Sequence, residues 1–356
     1  MKKILLHGAF YGSNYGDVLF CEIFSKVISL NHTVLYGSTG KYIKKRLKLQ
    51  NLSSEFIDFF RSDAVVFAPG GYFGEPNSTG LALNVWRIRM FFRHAYLGVI
   101  CRALKKPYAI IGLGVGPINF SFGKKIIRYI FEGSRMTTVR DNESLLYLES
   151  MGVNTNDIEV TVDSIFGLKD ELIDNKGIEY IRSLSINGKI LVLHVSSGGD
   201  NAMQIVKAVN RFLILHKDYT LVVCTDFMVT KMNPFLSRIF KELEGTNYKV
   251  LDYKPENLTA LLNYSTIVIT SKLHVGIVAA SFKKSVVSFP VHNKTKRFYD
   301  QINQSDRCLE MKLVTEDIAL DMLEEFENKR IDFDVELVHK SKLNFKKLND
   351  FLESLE

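Results

Sequence analysis

Residues 266–282 read TIVITSKLHVGIVAASF, and this stretch decides the fold. It opens with an apolar, β-branched run of strand length, turns polar at Ser271, Lys272 and His274, and resumes with small and apolar residues. A second apolar run, SVVSFPV at 285–291, follows directly. Two strands apolar on both faces, joined by a helix, are the repeating unit of a parallel sheet covered on both sides. Ser271 stands where an N-cap belongs, so the sequence predicts Lys272 and His274 at the first and third positions of the helix. Free amides and the positive dipole end gather there, an anion site that both side chains would reinforce.

Working outward, the same pattern recurs in KKILLHGAF (2–10), DAVVFAPGG (63–71), PYAIIGLGVGP (107–117), KILVLHVSSGG (189–199) and YTLVVCTDF (219–227). The runs form an early and a late set, and 356 residues suit two domains. The expected fold is α/β, with two Rossmann-like doubly wound lobes at residues 1–170 and 171–313. Helices at 314–356 are expected to pack back on the N-terminal lobe. In such sheets ligands bind outside the carboxyl ends of the strands, so the active site is expected in the cleft between the lobes.

A chain that is 46% hydrophobic and 24% charged is globular, which excludes a disordered or disulfide-scaffolded protein. Residues 1–170 hold 21 Lys and Arg against 14 Asp and Glu, and residues 171–356 hold 25 against 25. The whole net charge of +7 therefore lies in the first half, which implies an anionic partner for it. Cys21, Cys101, Cys224 and Cys308 are scattered without metal-site spacing and read as reduced thiols. The apolar run of the N-terminal MKKILLHGAFYG is too short for a signal-peptide core, and no stretch has the length of a membrane span. A cytoplasmic protein, soluble or peripheral at the inner face of the cell membrane, is expected.

Several loops carry candidate chemistry. HGAFYGSNYGD (7–17) brings Gly8, Gly12 and Gly16 before a helical pattern, without the spacing of a P-loop or a dinucleotide fingerprint. Asp17 is there either a helix cap or a carboxylate that orients or deprotonates a sugar hydroxyl. APGGYFGEPNS (68–78) pairs glycines with Glu75, either an exposed acid in a turn or an acceptor-binding group. Residues 84–107 mix Arg87, Arg89, Arg93, Arg102, Lys105 and Lys106 with Trp86, Phe91, Phe92 and Tyr96. That mixture suits an anionic membrane or a lipid-linked pyrophosphate, or else a partly buried helix with snorkelling arginines. No signature of a nucleic-acid-binding fold accompanies the charge.

In VRDNESLLYLESMGV (139–153), Asp141 is placed to cap a helix and Arg140 to bind a carboxylate or phosphate through its planar fork, or to pair with Asp141. From Lys272 through Tyr299 there is no Asp or Glu, yet Lys272, Lys294, Lys296 and Arg297 are present. A small, dense anion fits this segment better than a ribose does. Asp332-Phe333-Asp334 has the form of a metal-binding D-x-D motif but lacks a buried strand before it.

With these residues in place, the chain resembles the polysaccharide pyruvyl transferase family over most of residues 1–300. The matching pieces are GSNYGD (12–17), PGGYF (69–73), GLGVGP (112–117), VRDNESLLYLESMGV, VTVDSIF (160–166) and SKLHVGIVAASF (271–282), with a lysine after the next strand. The resemblance implies a GT-B-like two-lobed fold and transfer of pyruvate from phosphoenolpyruvate to a sugar, free or lipid-linked, as a ketal. By motif match Arg140, His274 and Lys294 take donor-site positions, and the N-terminal loops with Asn14, Asp17, Gly71 and Glu75 face the acceptor. Ser271 and Lys272 lie beside the donor, but the family usually has arginine where this chain has Lys272, and lysine lacks the bidentate fork. His274 is the candidate general acid, and the scheme requires no metal or redox cofactor. The alternative is a GT-B glycosyltransferase that uses a nucleotide-sugar donor.

Overall fold

The computed structural model describes residues 1–49, 54–76, 78–195, 199–229 and 234–355. The chain forms two compact units, residues 1–13, 17–164 and 336–356 in one and residues 14–16 and 165–335 in the other. The sequence boundary at 170/171 thus moves to 164/165, and Asn14, Tyr15 and Gly16 belong with the second unit.

In the first unit the early apolar runs become β1 (Lys3–His7), β2 (Thr33–Leu35), β3 (Ala64–Phe67), β4 (Gly70–Phe73), β5 (Tyr108–Val115), β6 (Met136–Val139) and β7 (Glu159–Val160). They form one sheet of order β2-β1-β3-β5-β6-β7, with β4 also paired to β5, and every pairing is parallel. Strands β3 and β5 are buried at every position because helices cover both faces. The order reverses direction between β1 and β3, the topological switch point at which such sheets bind ligands.

In the second unit the late runs become β8 (Lys189–His194), β9 (Tyr219–Val223), β10 (Tyr248–Val250), β11 (Ile267–Thr270) and β12 (Ser285–Ser288). Their order is β10-β9-β8-β11-β12, again parallel throughout, with the switch point between β8 and β11. The β8–β11 register sets His194 opposite Thr270 at the carboxyl ends of both strands. Ile267, Val268 and Ile269 have no exposed surface. Burying a side chain of that size stabilises by about 1.5–3 kcal/mol.

The C-terminal helices divide between the units, a correction to the expectation for 314–356. Helix Glu316–Phe326 puts Leu320, Leu323 and Phe326 into the core of the second unit. Helix Val335–Glu353 joins the first unit, where its Asn344 settles three strand-end groups. Asn344 Oδ1 accepts from the hydroxyls of Thr138 (2.7 Å) and Thr161 (3.0 Å), and Nδ2 donates to Val162 O (2.9 Å). Gly112, at φ +61°, makes room, because a Cβ there would stand 3.1 Å from Asn344 Oδ1.

Candidate functional site

In the second unit the helix after β11 spans Leu273–Ser281, and its N-cap is Lys272, with extended φ −119° and ψ 139°. The expected cap at Ser271 is therefore displaced by one residue. The physical reason is that Thr270 Oγ1 accepts from the Lys272 amide at 3.0 Å, which holds residues 270–272 in a tight turn before the helix starts. His274 is accordingly the second helical residue. Lys294 lies in the first turn of helix Asn293–Gln301, just past β12, and is exposed.

Behind these cations stands a buried pair that the sequence reading missed. His194, fully buried at the end of β8, places Nδ1 3.1 Å from Thr270 Oγ1 and Nε2 3.2 Å from Asp226 Oδ1. The other oxygen of Asp226 meets the ammonium of Lys272 at 3.7 Å and accepts from Asn14 Nδ2 at 3.3 Å. Burial would raise the Asp226 carboxyl, but the hydrogen bond and charge of His194, with the charge of Lys272, outweigh it and bring the pKa down to about 2. Asp226 is therefore a fixed anion that aims Lys272. The available signal was an acid three residues past a buried strand, at the common carboxyl edge.

Asn14, Tyr15 and Gly16 complete this cluster. The Tyr15 amide donates to Asp226 O at 2.8 Å, and the Tyr15 hydroxyl lies 2.6 Å from Thr259 Oγ1. A Cβ on Gly16 would fall 1.9 Å from His274 Nδ1, so glycine is what lets the backbone lie against that imidazole. This part of the first loop, expected to face the acceptor, packs on Asp226 and His274. The His292 pKa is lowered by burial first and then by the charges of Lys294 and Lys272, so both lysines contribute to one positive field.

In the first unit Arg140 follows β6, mostly buried, with its Nε 3.5 Å from Asp141 Oδ2. Asp141 caps helix Asn142–Ser150, accepting from the amide (2.7 Å) and hydroxyl (2.6 Å) of Ser144. The Arg140 fork lies on glycine backbone: a Cβ on Gly114 would stand 2.4 Å from its Cζ, and one on Gly71 3.7 Å from Nη2. Gly71 itself is exposed.

Asp17 is the third residue of helix Tyr15–Ser29, inside the first turn, so the cap position expected for it is corrected. Glu75 is buried, which overturns its reading as an exposed turn acid; it accepts from Arg87 Nε (2.6 Å) and the Asn119 amide (2.9 Å). Burial would raise its pKa, and these two partners hold it below the usual value.

Most of the cations in 84–107 are engaged with the protein. Arg87 lies over Phe120, Arg93 over Tyr11 and Arg102 over Tyr129, while Lys106 donates to Phe59 O and to Ser62. Asp332 pairs with Lys283 at 3.1 Å, and Phe333 packs on Phe166. No helix among the described residues is long and apolar enough to cross a membrane.

Two parallel doubly wound sheets, each with polar groups at its switch point, define a GT-B-like α/β protein, and solved structures agree. The chain is similar to UDP-GlcNAc 2-epimerase from Methanocaldococcus jannaschii (TM-score 0.67, 12% identity, 98% of this chain and 100% of that one). It is also similar to a putative UDP-N-acetylglucosamine 2-epimerase from Listeria monocytogenes (TM-score 0.67, 10%, 99% and 96%) and to a glycosyltransferase from Rickettsia africae (TM-score 0.53, 15%, 99% and 97%). At these identities the likeness is one of fold alone. The family model of polysaccharide pyruvyl transferase matches residues 14–293, and the chain belongs to that family. No curated protein matches the sequence.

Proposed function

We propose that the protein transfers the pyruvyl group of phosphoenolpyruvate to a sugar of a polysaccharide or lipid-linked oligosaccharide precursor, forming a cyclic ketal and releasing phosphate. The observation that carries this reading is that Lys272 and Lys294, each at the start of a helix past a strand of the second sheet, both act on the His292 imidazole, with His274 in the first turn of the Lys272 helix. Two cations and two helix starts suit a small donor that bears a phosphate and a carboxylate.

In this reading Lys294, Lys272 and the amides after Ser271 hold the phosphate, and Arg140 holds the carboxylate. His274 protonates the methylene carbon, which makes the neighbouring carbon electrophilic. A sugar hydroxyl, oriented by Asp17 near Gly71 and Glu75, adds to it; phosphate leaves; a second hydroxyl closes the ring. Of the two hydroxyl protons released, one restores the proton that His274 gave to the methyl group and the other leaves on phosphate. His274→Ala should abolish phosphate release while leaving phosphoenolpyruvate binding within about threefold, and an active variant would refute the acid role.

Helix Gly80–Met90 and the turn after it present Leu81 (80% exposed), Val85 (36%), Ile88 (58%) and Phe92 (70%) at helical spacing, beside exposed Arg89 and Arg93. This stripe is proposed to rest on an anionic lipid surface that carries the acceptor. Flotation with anionic but not zwitterionic vesicles, lost in Ile88→Asp, is the expected behaviour.

One observation favours a nucleotide-sugar donor instead. A largely apolar cavity of about 240 Å³ lies past β9 and β10, lined by Cys224, Met228, Leu236, Phe240, Asp252 and Tyr253 among others, and would accept a base. Thermal shift decides: a ligand at 100 times its Kd adds about 2.7 kcal/mol. Stabilisation by nucleotide sugars and not by phosphoenolpyruvate would reverse the preference.

A further inference from the structure

The switch point of the first sheet carries a buried histidine network to which the scheme above gives no task. His7, the last residue of β1, places Nδ1 2.7 Å from Glu55 Oε1 and Nε2 3.0 Å from His94 Nδ1. The second oxygen of Glu55 accepts from the Tyr96 hydroxyl at 2.5 Å. All three members are at least nine-tenths buried: His7 is 1%, Glu55 6% and His94 6% exposed. His94 lies in a π-helical turn, Phe91–Ala95, inserted between two α-helical segments. Such turns are rare, reset the phase of a helix and recur at functional sites. Here the turn directs His94 inward while Phe92 and Arg93 remain exposed. Tyr72 stacks on the His94 ring at 4.4 Å, and Tyr11 meets it edge-on at 5.8 Å.

We propose that Glu55, His7 and His94 form a proton relay whose outer end, His94 Nε2, takes the proton of the attacking sugar hydroxyl. The proposal rests on the ketal-forming transfer above and supplies its general base.

The directions of the hydrogen bonds carry it. A carboxylate only accepts, so the His7 Nδ1 bears hydrogen toward Glu55. His7 Nε2 then accepts from His94 Nδ1–H, which leaves the lone pair of His94 Nε2 open. When the sugar O–H bond breaks, an Nε2–H bond forms on His94. The His94 Nδ1 hydrogen moves to His7 Nε2, and the resulting imidazolium is paired with Glu55. His94 is neutral before and after and only its tautomer changes; the relay is reset when the same proton passes back through His94 Nε2 to the departing phosphate, so that the two hydroxyl protons still end on His274 and on phosphate.

The surrounding groups fit this course. Burial above all, with the Arg93 charge added, holds the His94 pKa well below the usual imidazole value, which disfavours an imidazolium at that position. Burial would raise Glu55, but the hydrogen bonds it accepts from His7 and from the Tyr96 hydroxyl work against it and favour the carboxylate. Tyr11, Tyr72 and Tyr96 are all raised above the ordinary tyrosine value, chiefly by burial, and stay neutral. Glu55 and His7 are positioning residues in this scheme, and His94 is the group that meets substrate.

Two measurements test the relay. In the wild-type protein with 15N-labelled histidine, NMR should show His94 neutral with hydrogen on Nδ1 from pH 5 to 8; an imidazolium, or hydrogen on Nε2 at pH 7, overturns the relay. In steady-state assays His94→Gln and Glu55→Gln should each lower kcat about 100-fold or more, with phosphoenolpyruvate binding within twofold. Glu55→Gln should also shift the acid limb of the kcat profile to lower pH. A folded His94→Gln protein with kcat within threefold of wild type removes the base role. If His94→Gln does not fold, the wild-type tautomer decides. If the wild-type protein releases no phosphate with phosphoenolpyruvate and any sugar, the proposed function fails and the base role with it, while the NMR result still reports on the relay itself.

Discussion

Gly16 lies so close to His274 that a side-chain carbon on the glycine would stand 1.9 Å from the imidazole Nδ1. The second residue of one helix thus sets the position of the second residue of another, 258 positions later in the chain. Gly16→Ala forces His274 to move or rotate, because real Cβ contacts do not close to that distance. Turnover should fall at least tenfold. The helix itself gains from the better propensity of alanine, so Tm should change by only a few degrees. Unchanged kcat in this variant would mean that the imidazole position is not required for transfer.

Lys272 is aimed by Asp226, and in the proposed donor site its role is electrostatic. Lys272→Ala should weaken phosphoenolpyruvate binding about tenfold or more, as followed by ligand-induced thermal shift. Lys272→Arg keeps the charge, adds a fork that can bind phosphate with two hydrogen bonds, and should bind at least as tightly as wild type. Equal affinity in all three proteins would take Lys272 out of the donor site.

The Asp226 pKa is depressed from the usual 3.8 to about 2, so its contribution to stability is fully present above about pH 4 and is lost as pH falls toward 2. Roughly 2 kcal/mol is at stake, at about 1.4 kcal/mol per unit. Asp226→Asn should be less stable than wild type at pH 7 by about that amount or more, and the gap should narrow in acid. Denaturant melts at pH 7, 4 and 2.5 check this; a gap that does not narrow between pH 4 and 2.5 would show that the carboxylate is not the source.

Asn344 ties the last helix to the strand ends of the first unit through three buried hydrogen bonds. Asn344→Ala leaves the Thr138 and Thr161 hydroxyls and the Val162 carbonyl without that partner and should cost about 2–4 kcal/mol in a denaturant melt. A loss under about 1 kcal/mol would mean that the packing of Leu348, Phe351 and Leu352 holds the helix unaided.

Much of the architecture is written locally. Apolar runs such as IVI (267–269) and AVVF (64–67), each followed by a small or polar residue and then by helical periodicity, specify parallel strands whatever surrounds them, because only a sheet covered on both faces satisfies that pattern. Asp141 as a cap was legible for the same reason, since capping is an interaction across three residues. The caps at Ser271 and Asp17 were misplaced by one to three positions because they depended on less local groups: the Thr270 hydroxyl in one case, and in the other a helix that begins at Tyr15, whose amide is tied to Asp226.

Tertiary structure alone decided the rest. His194 and Asp226 are 32 residues apart, and His7 and His94 are 87 apart; neither pair has a spacing that sequence can read. His194 and Asp226 meet because β8 and β9 lie side by side with their carboxyl ends aligned, and His7 meets His94 because the π-helical turn directs that ring onto the end of β1; both depend on which buried faces pack best, not on any one segment. The sequence by itself determined the strands, the helices and the positive edge around Lys272, His274 and Lys294. Only the fold decided that Asp226 would anchor Lys272, that Gly16 would lie against His274, and that a glutamate and two histidines would share one buried chain of hydrogen bonds.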